Sequence, residues 1–349
     1  MTAPIEIDGS EGEGGGQILR TSLALAVITG TPVLFRNIRA KRAKPGLRRQ
    51  HLAAVRAAAE ISGAQLRGDA VGSMELRFAP KEIRPGQHTV AIGTAGSTTL
   101  VLQTILWPLL LADMPSQVVI EGGTHNPMAP TFEFLARTFL PQVRRMGVDA
   151  DLELDRHGFF PAGGGRLRAT LRPSTLVPRS WESRGEARGV DAHALVSNLP
   201  VNIARREVGT AVGALGWQRS ATKTERVDSP GPGNALLLAA TFDSGCTVVS
   251  GIGSKGKRAE DVAQDAAEEM QRFLDTQAPI DEHLADQLLI PMALAGGGRF
   301  VTGSPSLHTR TNADVIARFL PVQTSFQEGS DGRWAVEVKP PGAVSPQCT

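Results

Sequence analysis

Residues 93–146 read GTAGSTTLVLQTILWPLLLADMPSQVVIEGGTHNPMAPTFEFLARTFLPQVRRM. A glycine-rich turn at 93–97 opens an apolar segment, predicted helical over 98–112. A short strand follows at 117–120. A polar loop, GGTHNPMAP at 122–130, leads into a second predicted helix over 131–146. Working outward, the same order recurs on both sides. Upstream, a glycine-rich loop precedes a helix at 17–28, a strand at 32–35, a polar loop, and a helix at 45–62 with Leu52, Val55 and Ala59 on one face. Segments around Gln65 and over 74–78 alternate apolar and polar, as half-buried strands do. Downstream come a predicted helix at 283–295, a strand at 299–302, the polar loop SPSLHTRTN at 304–312 and a helix at 313–320.

The spacing of these copies predicts the domain plan. Copies one and two begin about 80 residues apart, copies two and three roughly 185 apart, an excess of about 100 residues that indicates an inserted domain. Residues 174–189, rich in Pro, Arg and Glu, read as a linker into it. Beyond lie a predicted strand (192–199), a helix (204–215), two strands (235–242 and 247–251) and a helix (258–275), together a small α/β unit. The expected architecture is α/β (α+β): a large discontinuous domain of 1–183 and 277–339, an inserted small α/β domain of 184–276, and a disordered tail from 340 to 349.

Composition narrows the function classes. Of 349 residues, 41% are hydrophobic and 21% charged, which excludes a disordered or fibrous chain. Cys246 and Cys348 stand far apart with no CxxC pair, which excludes a disulfide framework and suits a reducing cytoplasm. The longest apolar stretch, Leu100–Leu111, is broken by Gln103, Thr104 and Pro108, so no membrane span or membrane partner is expected. The N-terminus has no signal-peptide core. The net charge of +2 does not point to nucleic acid, but its distribution is uneven. Residues 36–49 hold seven basic and no acidic side chains, with Arg56 just beyond. Such an arm is either a solvated face or a polyanion site.

Three features carry candidate chemistry. Gly251–Arg258 (GIGSKGKR) matches GxGxxG and nearly matches a phosphate-binding loop, but Arg258 stands where a hydroxyl must hold magnesium, and no acid-tipped strand follows. A glycine-rich turn is the preferred reading. Glu11 and Glu13 lie among glycines just ahead of a helix, whose free N–H groups favour phosphate, and a carboxylate there suits a divalent metal. Helix capping by an acid is the bland alternative. His308 lies in the polar loop of copy three, at the place His125 takes in copy two; imidazole is a competent nucleophile towards phosphorus.

Seven stretches, DGSEGEGGGQILR, RAKPGLRRQHLAA, GTAGSTTLVLQT, GGTHNPMAP, RHGFFPAGGG, HLADQLLIPMALAGGG and SLHTRTNADVIARFLP, follow one another collinearly from about Ile5 to Leu320. Together they closely resemble the RNA 3′-terminal phosphate cyclases. The resemblance implies a large domain of three βαβαββ-type repeats with a smaller inserted α/β domain. It implies ATP-dependent conversion of an RNA 3′-phosphate to a 2′,3′-cyclic phosphate through a histidyl–AMP intermediate and an adenylated RNA end. His308 matches the family's nucleophile and Glu13 its metal-site carboxylate, for magnesium or manganese. Gln103, Pro130 and the segment His283, Leu284, Ala285, Asp286 and Gln287 match its ATP-binding residues. Arg20, Arg39, Arg42, Arg49 and Gln50 match basic and polar residues near the phosphates, and His125 is grouped with them as a phosphate or RNA contact. One departure stands out: the family's usual tyrosine is His283 here, in a chain without tyrosine. A non-catalytic, ribosome-assembly branch shares the fold but, as the resemblance has it, lacks the nucleophile and ATP pattern present here. Nucleotidyl transfer to other nucleic-acid ends is the remaining alternative. The sequence assigns neither an oligomeric state nor a particular RNA.

Overall fold

The computed structural model describes residues 3–341, and all but the first two residues of the tail expected from 340 onward lie outside them. The first repeat runs β1 (Ile5–Asp8), α1 (Gly16–Thr29), β2 (Val33–Arg36), α2 (Arg49–Glu60), β3 (Gln65–Arg67) and β4 (Leu76–Ala79). The second runs β5 (Gln87–Ala91), α3 (Thr98–Leu110), β6 (Ser116–Gly122), a π-helical turn (Phe134–Phe139) continued by α4 (Leu140–Arg144), β7 (Asp149–Arg156) and β8 (Gly165–Arg172). The third opens with β9 (Arg179–Trp181). After it come β10 (Ala187–Ser197), α5 (Asn202–Leu215), β11 (Thr222–Arg226), β12 (Gly233–Phe242), β13 (Gly245–Ile252) and α6 (Ala259–Thr276). It then resumes as α7 (Glu282–Leu294), β14 (Gly298–Thr302), α8 (Leu307–Ala317), β15 (Gln323–Glu328) and β16 (Trp334–Lys339).

Each repeat closes a four-stranded sheet of identical order: β1-β2-β4-β3, β5-β6-β8-β7 and β9-β14-β16-β15. The first two strands pair parallel across a helix, and the last two add antiparallel as a hairpin. Apolar faces from all three repeats, among them Leu23, Phe35, Leu102 and Phe300, merge in one core. The fourth sheet, β11-β10-β12-β13, carries α5 and α6 on one face, where Ala194, Leu236 and Met270 pack. Its other face meets the second repeat, with Phe159 against Leu195 and Leu237.

Three local expectations are corrected. The expected linker at 174–189 is ordered. Its β9 pairs with β14, and Trp181 Nε1 donates to buried Gln142 Oε1 at 2.8 Å. Arg184 donates to the carbonyls of Phe273, Leu274 and Ala278 at the end of α6. The helix expected at 131–146 begins with a π-helical turn instead of an α-helix. Finally, α8 begins at Leu307, not 313: Ser306 caps it by accepting from the Thr309 N–H at 3.2 Å. His308 therefore stands on the first turn of a helix, not in a loop.

The segments joining the second strand of each repeat to its second helix are topologically equivalent: 37–48, 123–133 and 303–306. The first is the basic arm, the second carries His125, and the third ends against His308.

Candidate active site

Helix α1 packs against α2, α3 and α8, and α7 packs against α8, so the first turns of α1 and α8 meet beside α7. Polar residues sit on the buried faces there. Thr21 Oγ1 donates to Asn312 Oδ1 at 2.7 Å, and Asn312 Nδ2 donates to the Asp286 carbonyl at 3.0 Å. Gly12, at φ +50°, is needed for closeness as well as conformation: a Cβ would lie 2.3 Å from Thr311 Oγ1. That approach lets the Glu13 N–H donate to Thr311 Oγ1 at 3.1 Å. At Gly16 a Cβ would strike His51 Nε2 at 2.6 Å and Arg20 Nη1 at 2.9 Å.

His308 is anchored by one nitrogen only. Gln17 donates its amide N–H to Asp286 Oδ1, which leaves Gln17 Oε1 as the acceptor facing the imidazole. Nδ1 of His308 lies 2.7 Å from that oxygen and so carries the proton. Nε2 is left with its lone pair, on a side chain that is 52% exposed. Burial lowers the imidazole pKa below its usual value, against an opposing pull from Asp286, so the ring is neutral at pH 7. Burial also raises the Asp286 pKa and brings Arg20 down to about 10, still a cation at neutral pH.

Glu13 stands over the same nitrogen, with Oε1 3.8 Å from His308 Nε2 and paired with Arg42. Arg42 also donates to the Glu13 carbonyl at 3.1 Å. Glu13 Oε2 is buried and has no hydrogen-bond partner, and a hard carboxylate oxygen of this kind suits a divalent cation. Glu11, by contrast, faces outward and pairs with Arg318 at 2.6 Å. The first turn of α1 has neither an acidic residue nor a side-chain cap, and its positive end faces the Glu13 carboxylate, which lies against the N-cap Gly15.

The remaining expected residues divide. Gln103, Arg20, Asp286 and Gln287 line one cleft with Gln17 and Trp107. The cleft is open to solvent and holds about 50 Å³ of space for water-sized groups. Gln287 Oε1 is buried without a donor. His283, one turn before Asp286 and Gln287 on the same face of α7, lines a separate cavity with Glu269 and Asp281, and its Nε2 is 3.2 Å from Glu269 Oε1. That bond raises its pKa to about 9. Its charge is nevertheless felt at His308. The Pro130 carbonyl accepts from Thr99 Oγ1 at 2.8 Å. The side chains of Leu284 and Ala285 belong to the hydrophobic core, because α7 turns that face inward. Arg39, at φ +54°, donates to the carbonyls of Lys44 and Gly46 and shapes the basic arm. Arg49 is exposed on the first turn of α2. Gln50 Oε1 accepts from the Ser97 N–H at 3.1 Å and ties the first repeat to the second.

His125 is the clearest correction. It is fully buried, with Nε2 2.8 Å from Glu133 Oε2 and Nδ1 2.9 Å from Thr124 Oγ1. A side chain so enclosed has no surface for RNA, and it is not part of the His308 constellation. The phosphate-loop look-alike also resolves as a turn. Lys257 pairs with Asp265 at 2.5 Å, and Arg258 with Asp261 at 2.6 Å. Gln17, His51, Thr311 and Asn312 were missed. Their signal was polar side chains on the inward faces of apolar helices, as with Gln17 and Thr21 four residues apart on α1.

With this geometry in view, the comparisons are decisive. The family model described as RNA 3'-terminal phosphate cyclase matches residues 11–326. The chain belongs to the RNA 3′-terminal phosphate cyclase family. A relative of that description from Koribacter versatilis (strain Ellin345) is 49% identical over 326 residues, 93% of this chain and 92% of the relative. Another from Ectopseudomonas mendocina (strain ymp) is 48% identical over 96% of this chain and 98% of its own length. A third from Salmonella agona (strain SL483) is 46% identical over 95% and 96%. The repeated sheet order belongs to a chain matched to this family over nearly its whole length.

Proposed function

We propose that the chain, like relatives named RNA 3′-terminal phosphate cyclase, cyclises an RNA 3′-phosphate end, that it does so with ATP to give a 2′,3′-cyclic phosphate, and that His308 is its nucleophile. The observation carrying this is the one-sided anchoring of His308. Gln17 fixes the tautomer through Nδ1, so Nε2 presents a free lone pair beside Glu13 and Arg42. Attack of Nε2 on the α-phosphorus forms a P–N bond and breaks the P–O bond to pyrophosphate. An oxygen of the RNA 3′-phosphate then takes the AMP, returning the imidazole lone pair. The neighbouring 2′-hydroxyl closes on the activated phosphorus, loses its proton and expels AMP. The device replaces a poor leaving group, a phosphate oxygen, with a good one.

Glu13 would hold the divalent cation, magnesium or manganese, through its orphaned Oε2. Bound there, the cation would supply positive charge near the phosphates. Arg42, Arg20 and the free end of α1 point the same sign of charge at this place. The basic arm and α2, whose first turn begins with Arg48 and Arg49 and no acid, suit the RNA backbone. Protonated His283, where the family has tyrosine, suits stacking on adenine as a cation. We read 1–183 with 277–339 as the repeat domain and 184–276 as its insert. A reaction on RNA with ATP suits the cytoplasm, which we take as its compartment. No helix among the described residues is long and apolar enough to cross a membrane.

The test is product analysis with a 3′-phosphorylated oligonucleotide and ATP. The reading expects an end resistant to phosphatase, opened by acid, with one AMP and one pyrophosphate per end. A 5′-adenylated product with an unchanged 3′-phosphate would favour the alternative of transfer to other ends.

A further inference from the structure

We propose that His125, Glu133 and His157 form a second metal site, for zinc or a cation of like chemistry, separate from Glu13. Their three ligand atoms lie within 4.8 Å of one another, drawn from two connections of the second repeat. A tetrahedral zinc ion with bonds near 2.1 Å sets its ligand atoms about 3.4 Å apart, so modest side-chain rotations close the set. Two imidazoles and one carboxylate are borderline donors that suit zinc better than magnesium.

The shell around these donors is built. The His125 N–H donates to the Gly158 carbonyl at 3.2 Å, and the rings of His125 and His157 stack with centroids 5.3 Å apart. Without a cation, the Nε2–H of His125 donates to Glu133. With one, the ring takes its other neutral tautomer, with the proton on Nδ1 and donated to Thr124 Oγ1, the kind of partner metal-bound histidine usually has. His157 makes no hydrogen bond or ion pair among the described residues and has a lone pair to give. A third imidazole stands by on the fourth sheet. His193 Nε2 is buried without a hydrogen bond, although Glu225 lies 3.0 Å away, and its charge is felt at His157. His193 is not one of the three ligands; it stands on β10 of the fourth sheet, the sheet that Phe159 contacts.

The test removes the other imidazole–carboxylate pair first. The full chain carrying Glu13→Gln and His308→Ala is stripped with chelator and titrated with Co²⁺, then Zn²⁺. One Co²⁺ per chain with the visible bands of a tetrahedral ion, displaced by Zn²⁺, is expected. Adding either His157→Gln or Glu133→Gln should weaken binding roughly a hundredfold or more. Circular dichroism verifies that each variant is folded. A folded chain that binds neither ion stoichiometrically, or binds them equally well in both added variants, overturns the proposal.

Discussion

His308 and His125 follow equivalent connections of the third and second repeats, yet their surroundings are opposite. His125 is sealed, with Glu133 on one nitrogen and Thr124 on the other. His308 has one nitrogen held by Gln17 and the other open to solvent beside a carboxylate. A shared position in a repeat thus says where a histidine stands, and the hydrogen bonds on its two nitrogens decide what it does. One-sided anchoring suits the nucleophile proposed for His308; two-sided anchoring suits a structural pair, or the metal ligand proposed for His125.

Exchange of each ring for alanine gives the sharpest contrast. His308→Ala should lower turnover by about 10⁴-fold or more and leave the urea midpoint unchanged, because the side chain is half exposed. His125→Ala should cost about 3 kcal/mol of stability in the same titration, because Glu133 is left charged in a mostly buried place. If His308→Ala destabilised the chain equally, the contrast between the two sites would fail.

Gln17→Leu addresses the tautomer. It keeps the bulk and removes the acceptor for Nδ1–H. Adenylation should slow roughly 10²-fold with little change in the KM for ATP. A rise in KM alone would make Gln17 a binding residue instead.

Acid sharpens a third histidine. His51 is 9% exposed, and burial, with the charges of Arg39, Arg20 and Arg48, holds its pKa down to about 3. The folded chain binds fewer protons there than the unfolded chain, so stability must fall as pH drops through about 6.5 and continue to fall toward 3. The slope for this group approaches 1.4 kcal/mol per pH unit, about 2 kcal/mol between pH 6.5 and 5. His51→Asn should flatten that limb of urea midpoint against pH. An unchanged slope would remove His51 from the account. The smallest effect belongs to Lys257→Ala. An exposed pair with Asp265 is worth under about 1 kcal/mol, and ATP use should stay within about twofold of wild type.

Much of this was legible in the sequence. Glycine clusters ahead of apolar helices marked the three repeats, and apolar periodicity placed most elements within a few residues. Several strands, among them β5, β7, β8, β15 and β16, were not predicted, and three further features show why reading fails. β9 has only Trp181 buried in three residues, too little pattern to see within a Pro- and Arg-rich segment. The start of α8 was hidden because Thr309, Thr311 and Asn312 are polar yet buried, so periodicity began only at Ala313. The burial of His125 depends on the β7–β8 connection folding over it, a contact some thirty residues distant. The motif residues Glu13, Arg42 and His308 were legible and converge; the residue that orients the histidine, Gln17, was not, because a single glutamine on an apolar helix carries no motif.

The central claim is that Nε2 of His308 is the atom that takes AMP. The direct measurement is incubation of the full chain with α-labelled ATP and either magnesium or manganese, without RNA, followed by denaturation and peptide mapping. Label on the peptide holding His308, lost in acid, kept in alkali and absent from His308→Ala, is the predicted result. A folded wild-type chain that takes no label with either metal, or takes it on another peptide, would contradict it.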